Sequence, residues 1–278
     1  MKNFSIISLG CPKNLVDSER ICDIFVKNGY SFQSNGENCH SVIINTCAFI
    51  KDAIKESDRV IKKFLRLKKE GKIKKVYIAG CLVSRFKERI FNLYPSVDAF
   101  FDINSYNKID AFLKGDVYER VLMDGDDEYY SRFLLTSSHI AYLKISDGCD
   151  NHCSYCVIPG IRGRYRSRGF KLLIDEAKAL SYAGVKELVI ISQDTLRYGF
   201  DLYKKRMIIK LLERLEKIDG IEWIRLMYLY PSEIDSELLK LIKNSRKIVH
   251  YFDIPLQHVS DRILRMMNRR YDSKKIEK

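Results

Sequence analysis

The sequence predicts an α/β protein: an N-terminal doubly wound parallel-sheet domain followed by a partial β/α barrel. Three observations carry this reading. Short apolar runs alternate with helically periodic stretches through the first 115 residues; an acidic, aperiodic stretch interrupts the pattern at 124–130; and a second strand–helix series starts beyond it. The expected division is a domain over 1–118, a linker over 119–134 and a second domain over 135–278.

In the first domain, strands are expected at Ser5–Leu9, Val42–Ile44, Val76–Ala79 and Ala99–Ile103. Between them, Leu15, Cys22, Phe25 and Val26 share one helical face, as do Ile54, Ile61, Phe64 and Leu65. Alternation of strand and helix is the signature of a parallel sheet covered on both faces. In the second domain Ala141–Ile145 reads as a strand, Leu173, Ala177 and Leu180 as a helix, and Leu188–Ile191 as a buried strand. A helical face of Ile208, Leu211, Leu215 and Ile218, a strand at Trp223–Tyr228, a helix at Ile234–Leu241 and a strand at Val249–Ile254 follow, and Ile263–Met267 opens another helix. That makes four β/α units, part of a barrel.

The chain has 278 residues, of which 46% are hydrophobic, enough for two cores. Lys and Arg number 49 against 36 Asp and Glu, for a net charge of +13. This excess favours a polyanionic partner such as RNA or a ribosome; the alternative is a basic protein with solvated lysine faces, as in Lys62-Lys63 through Lys74-Lys75. Phe4–Leu9 is too short for a signal peptide, and no run reaches the length of a membrane span, so a cytoplasmic protein without membrane contact is expected. Eight cysteines in that compartment point to metal binding or catalysis rather than to disulfides.

Cys149, Cys153 and Cys156 lie within eight residues, just past the first strand of the second domain. Soft thiolates suit iron–sulfur clusters or zinc. A closed zinc site takes four ligands, and His152 adjoins Cys153 too closely for one ion to accept both with ease. Three thiolates on a 4Fe–4S cluster leave one iron open to a substrate. His152 then reads as a solvated loop residue. Cys11, Cys47 and Cys81 are far apart in sequence, yet each stands just beyond the carboxyl end of an expected strand. That edge is where parallel sheets keep their ligand crevices, so these thiols are expected to converge on a second cluster. Cys22 and Cys39 fit neither set and read as core or incidental.

The spacing Cys149-x3-Cys153-x2-Cys156, with Tyr155 before the last Cys, is similar to the radical S-adenosylmethionine (SAM) superfamily. With Ser8-Leu-Gly-Cys-Pro-Lys-Asn-Leu-Val-Asp-Ser-Glu19, Asn45-Thr-Cys-Ala-Phe49, Ala79-Gly-Cys-Leu82, Ala141-Tyr-Leu-Lys-Ile-Ser-Asp-Gly-Cys149, Ile161-Arg-Gly163, Arg166-Ser-Arg168, Ile191-Ser-Gln-Asp-Thr195 and Asp253-Ile-Pro-Leu-Gln-His258, the chain resembles the methylthiotransferase family over nearly its whole length. Cys11-Pro-Lys-Asn14 and Tyr228-Leu-Tyr-Pro231 resemble its ribosomal-protein branch; the transfer-RNA branch usually reads Cys-Gln-Met-Asn at the first place.

The resemblance implies two 4Fe–4S clusters, a radical SAM cluster on Cys149, Cys153 and Cys156 and an auxiliary one on Cys11, Cys47 and Cys81. It implies SAM as cofactor, positioned by the Tyr155 backbone; Gln193, at the carboxyl end of the second barrel strand, is expected either to face that site or to cap the following helix. The implied reaction adds a methylthio group to the β-carbon of an aspartate in a small-subunit ribosomal protein, with a flavodoxin- or ferredoxin-type electron donor as partner. A transfer-RNA adenosine methylthiotransferase and an inactive iron–sulfur protein remain as alternatives. In the family the chain continues into the rest of a six-unit barrel and a small terminal β domain, so this chain is expected to be a shortened member. Arg162, Arg164, Arg166 and Arg168 alternate after the cluster loop, and the sequence leaves open whether they contact RNA or the substrate loop or form a solvated basic loop.

Overall fold

The computed structural model describes residues 2–115 and 131–277. The chain forms two compact units, Met1–Leu135 and Thr136–Lys278. The acidic stretch 124–130, and with it most of the expected linker, lies outside the described residues.

The first unit runs β1 (Asn3–Ser8), α1 (Pro12–Lys27), β2 (Ser31–Phe32), β3 (Ser41–Thr46), α2 (Lys51–Lys69), β4 (Lys75–Gly80), α3 (Cys81–Phe86), α4 (Arg89–Leu93), β5 (Ala99–Phe101) and α5 (Ile109–Lys114). All five strands are parallel, in the order β2-β1-β3-β4-β5. This is a doubly wound order, and its switch point falls between β1 and β3. Strand alternation divides the apolar residues between two faces. Phe4 and Ile6 of β1, Ile43 of β3, Tyr77 and Ala79 of β4 and Ala99 and Phe101 of β5 pack with Ile21, Cys22 and Phe25 of α1 and Ile109 of α5. Val42, Ile44, Val76 and Ile78 alternate with these and are fully buried. On α2 the buried Ser57, Ile61 and Phe64 recur at helical spacing, while Arg66, Lys68 and Lys69 sit in the last turn, where the helix dipole favours cations.

The expected inner face of α1 needs correcting. Val26 is 39% exposed and Leu15 only half-buried, so the inner face of α1 is Val16, Ile21, Cys22 and Phe25. The helix also buries Lys13, Asn14, Asp17, Ser18, Glu19 and Arg20, because its first turns carry polar contacts rather than a simple apolar stripe. β2 was not foreseen; two residues are too few to show a period. Residues 131–135 belong to this unit: Arg132 pairs with the fully buried Glu19 at 3.0 Å, and the Leu135 N–H donates to the same carboxylate.

The second unit runs β6 (Ile140–Lys144), β7 (Ser146–Asp147), α6 (Ile158–Arg162), β8 (Arg166–Ser167), α7 (Phe170–Tyr182), β9 (Glu187–Ile191), α8 (Phe200–Tyr203), α9 (Ile208–Glu216), β10 (Trp223–Leu226), α10 (Ser236–Asn244), α11 (Asp261–Met266) and α12 (Ser273–Glu277). β6, β9 and β10 form a parallel sheet in sequential order, as the start of a β/α barrel does. The expected fourth strand at Val249–Ile254 is not formed. Its place is taken by a single parallel bridge between Ile224 and Ile248. β10 stops at Leu226 and Tyr228 takes a left-handed φ of 61°, so the two segments stay joined by isolated bonds, such as Leu229 N–H to Asp253 O at 2.9 Å, rather than by a continuous ladder. No helix among the described residues is long and apolar enough to cross a membrane.

Gly80 joins β4 to α3 at φ 89° and ψ −154°, a region that essentially only glycine occupies. A Cβ there would stand 2.8 Å from the Thr46 carbonyl oxygen and within overlap of the Asn45 side chain. Gly80→Ala is therefore expected to destabilise the protein by about 2–4 kcal/mol; thermal unfolding followed by circular dichroism checks this, and an unchanged midpoint would contradict it.

Candidate metal centres

The carboxyl ends of β1, β3 and β4 bring three thiols to one edge. Cys11 is the N-cap of α1, Cys47 directly follows β3, and Cys81 is the first residue of α3. The strands are adjacent and in register, with Ser8 opposite Asn45 and Thr46 opposite Gly80. Neighbouring parallel strands lie about 4.8 Å apart, which sets the scale of the group. A Cβ on Gly10 would come within 2.8 Å of Cys47 Cβ and 3.0 Å of Cys47 Sγ, so only glycine lets the Cys11 loop approach so closely.

Polar side chains pin this edge. The Asn14 amide donates to the carbonyls of Leu9, Asn45 (3.1 Å) and Thr46 (3.3 Å). Asn45 returns hydrogen bonds to the Asn14 carbonyl and the Ser18 hydroxyl, both 2.8 Å, and Ser18 donates to Ser8 at 2.8 Å. The Thr46 hydroxyl donates to Ala79 O at 2.6 Å and accepts from the Leu82 N–H at 3.2 Å. The three loops that bear cysteines are thus tied by buried hydrogen bonds, which hold geometry firmly because breaking one strands a desolvated group. Asn14, Ser18, Asn45 and Thr46 all stand in the stretches that carry the family resemblance, but nothing in the sequence marks them as cross-links between the loops.

The second group lies on the loop between β7 and β8. These two short strands pair antiparallel, Ser146 with Ser167 and Asp147 with Arg166, and the Cys149 N–H donates to Gly163 O at 3.2 Å. The loop is thereby closed at its base. Cys149 and Cys153 are buried, Cys156 half-buried, and all three are free thiols. Backbone N–H groups point at sulfur: Asn151 N at 3.3 Å from Cys149 Sγ and Ile158 N at 3.4 Å from Cys156 Sγ. Donors aimed at sulfur suit thiolates. Burial pushes the Cys149 thiol up to about 11, so a cation is needed to hold it deprotonated at neutral pH. Among the described residues no three Cys, His, Asp or Glu side chains converge tightly enough to share a single metal ion. A four-iron cluster asks for a different arrangement, one thiolate per iron. The donor sets fit such clusters: soft thiols outside any disulfide, in the loop with amides aimed at them.

The arginine run splits. Arg162 is buried and grips both Asp147 carboxylate oxygens at 3.0 and 2.9 Å, with Lys144 on the same carboxylate at 3.0 Å. Arg168 pairs with the buried Glu176 at 2.7 Å and donates to Lys144 O. These two hold the loop base; Arg164 and Arg166 are the exposed members. His152 is exposed, as expected, and its carbonyl accepts from Asn268 at 2.6 Å. Tyr155 is 45% exposed on the loop. Gln193, just past β9, is half-buried. Its neighbour Asp194, to which the sequence assigns no role, is 1% exposed. Asp194 Oδ2 accepts from Asn151 at 2.7 Å, while Oδ1 is buried without a hydrogen-bond partner among the described residues. Desolvation pushes its carboxyl up to about 6, opposed by the Asn151 hydrogen bond. Cys22 is core, and Cys39 is buried with its thiol against the carbonyls of Gly36 and Ser41.

A family model described as uncharacterized protein family UPF0004 matches residues 3–102, and the radical SAM superfamily model matches residues 143–278. The ribosomal protein uS12 methylthiotransferase RimO of Sulfurihydrogenibium sp. (strain YO3AOP1) is 47% identical over 279 residues, covering 99% of this chain. This chain belongs to the radical SAM methylthiotransferase family. The RimO proteins of Clostridioides difficile (strain 630) and Aquifex aeolicus (strain VF5) are 44% and 45% identical, each over 97% of the chain. The chain spans 62%, 62% and 59% of the lengths of these three relatives. Two solved structures share the fold: the radical SAM methyltransferase TsrM from Kitasatospora setae (TM-score 0.69, 12% identity, 100% of this chain and 64% of that one) and the cobalamin-dependent SAM radical enzyme OxsB (TM-score 0.65, 12% identity, 99% and 46%). Membership of the superfamily brings SAM and an iron–sulfur cluster as cofactors.

The raised Asp194 carboxyl has a measurable consequence. A folded-state pKa above the unfolded value stabilises at low pH, and the benefit is lost as pH rises through about 6. In the cluster-free chain Asp194→Asn is expected to gain about 1–3 kcal/mol at pH 7.5, with the gain vanishing towards pH 4. Urea unfolding at the two pH values checks it; no gain at pH 7.5 would contradict it.

Proposed function

We propose that this chain is a cytoplasmic methylthiotransferase that replaces a hydrogen on the β-carbon of an aspartate in ribosomal protein uS12 with a methylthio group. The single observation that carries the reading is the presence of two separate cysteine triads, one at the carboxyl ends of three parallel strands and one on the single loop between β7 and β8. Support for the substrate comes from the RimO relatives, whose name states that they act on uS12, and from the net charge of +13, which suits a ribosome.

In this reading Cys149, Cys153 and Cys156 hold a 4Fe–4S cluster, and Cys11, Cys47 and Cys81 hold an auxiliary one that serves sulfur transfer. When bound between these thiols, the loop cluster would supply the electron for reductive cleavage of SAM, and so the radical chemistry that removes the β-hydrogen. The protein's own part is to bind and orient. The closed base of the 148–165 loop fixes the three thiols. Asp194 Oδ1, a buried carboxylate oxygen with no hydrogen-bond donor among the described residues, suits the α-ammonium of SAM, and Asn151 holds Asp194 in place. Tyr155 lies beside Cys156 and lends its backbone to SAM, and Gln193 stands at the carboxyl end of β9, the edge where barrels keep their chemistry. Arg164 and Arg166, exposed beside the loop, suit ribosomal phosphate. A low-potential flavodoxin or ferredoxin supplies the electrons.

The test is an anaerobic incubation of the reconstituted chain with a reductant, SAM and small ribosomal subunits. The expected result is 5′-deoxyadenosine together with one uS12 aspartate heavier by a methylthio group in place of hydrogen. Modified transfer-RNA adenosine with unmodified uS12 would overturn the substrate. Iron-loaded protein that forms no 5′-deoxyadenosine would overturn the activity.

A further inference from the structure

We propose that Arg269 is a positioning residue for the loop cluster: it holds the Cys153 thiolate and raises the cluster's reduction potential. The inference rests on reading Cys149, Cys153 and Cys156 as cluster ligands.

Arg269 Nη1 stands 3.5 Å from Cys153 Sγ. The guanidinium is fixed on its other sides. Nη2 donates to Pro255 O at 2.9 Å and Nε to the Tyr271 hydroxyl at 3.2 Å. Its carbon lies 4.2 Å from the Tyr230 ring centre and 5.0 Å from that of Tyr271, two rings that meet edge-on. Tyr230 and Tyr271 are themselves buried around Leu264. A planar cation held by two aromatic faces and two acceptors has little freedom, so the direction of its remaining N–H is set.

The same turn grips the loop that bears Cys153. Ser154 donates from its N–H to Met267 O at 3.1 Å and from its hydroxyl to Met266 O at 3.0 Å, and Asn268 donates to His152 O. Both neighbours of Cys153 are therefore tied to the residues just before Arg269. No carboxylate forms an ion pair with Arg269 among the described residues, although its side chain is half-buried. A partly desolvated cation calls for an anion, and the nearest candidate is the Cys153 sulfur. Hydrogen bonds to ligating sulfur and nearby positive charge are established levers on cluster potential: both stabilise the reduced, more negative state.

The experiment measures the potential of the SAM-responsive cluster by redox titration with electron paramagnetic resonance in the reconstituted full chain, for wild type, Arg269→Gln, Arg269→Lys and the exposed neighbour Arg270→Gln. SAM perturbs only the cluster that binds it, so its signal is separable from that of the auxiliary cluster. Arg269→Gln is expected to lower the reduced-to-oxidised ratio at a fixed poise about tenfold, a negative shift of about 59 mV for one electron. Arg269→Lys keeps the charge and is expected to fall between, and Arg270→Gln to match wild type. If both Arg269 variants load iron and titrate at the wild-type potential, the residue is only a fold contact and the inference is overturned. If wild type shows no SAM-responsive cluster, the ligand assignment beneath it fails instead.

Discussion

A parallel strand delivers its following loop to the same edge as its neighbour does, and this geometric constraint underlies both thiol groups. In the first unit it gathers residues 11, 47 and 81 across more than sixty positions of sequence, because β1, β3 and β4 lie side by side in register. No local motif could do this. In the second unit the constraint acts once: β6 ends, and a single closed loop carries all three cysteines.

What converts convergence into a site is the treatment of the backbone beside each thiol. Gly10 and Gly80 allow approaches that any Cβ would prevent. Asn14, Ser18, Asn45 and Thr46 then cross-link the loops through buried hydrogen bonds. The loop of the second unit uses charge instead: Asp147 is shared by Arg162 and Lys144, which together hold its carboxyl well below the usual range despite burial. The two units solve the same problem with different chemistry. The sheet edge relies on neutral amides and hydroxyls, the isolated loop on an ion-pair hub.

The sequence was most legible where period and chemistry agreed. Strands rich in Val and Ile, such as Ser41–Thr46, and the placement of cysteines after them could be read directly. It was least legible where burial decides the role. Nothing in Gln193-Asp194 says which side chain turns inward, and it is Asp194 that is buried. The four alternating arginines look equivalent in sequence, yet the β7–β8 pairing and the turn at α6 bury Arg162 and expose Arg164. Val249–Ile254 has the composition of a strand, but the left-handed Tyr228 interrupts the extended backbone beside it, and a bridge and isolated hydrogen bonds form in place of a ladder. Arg269 belongs to no motif that spacing alone would mark; it matters because Tyr230 and Tyr271 aim it.

The central claim is that the two triads are independent cluster sites. Iron and sulfide counts on three anaerobically reconstituted chains test it most directly: wild type, one with Cys11, Cys47 and Cys81 replaced by Ala, and one with Cys149, Cys153 and Cys156 replaced by Ala. The account predicts about eight irons in the first and about four in each of the others. A wild type that holds only about four irons, all of them lost with one triad and none with the other, would contradict it.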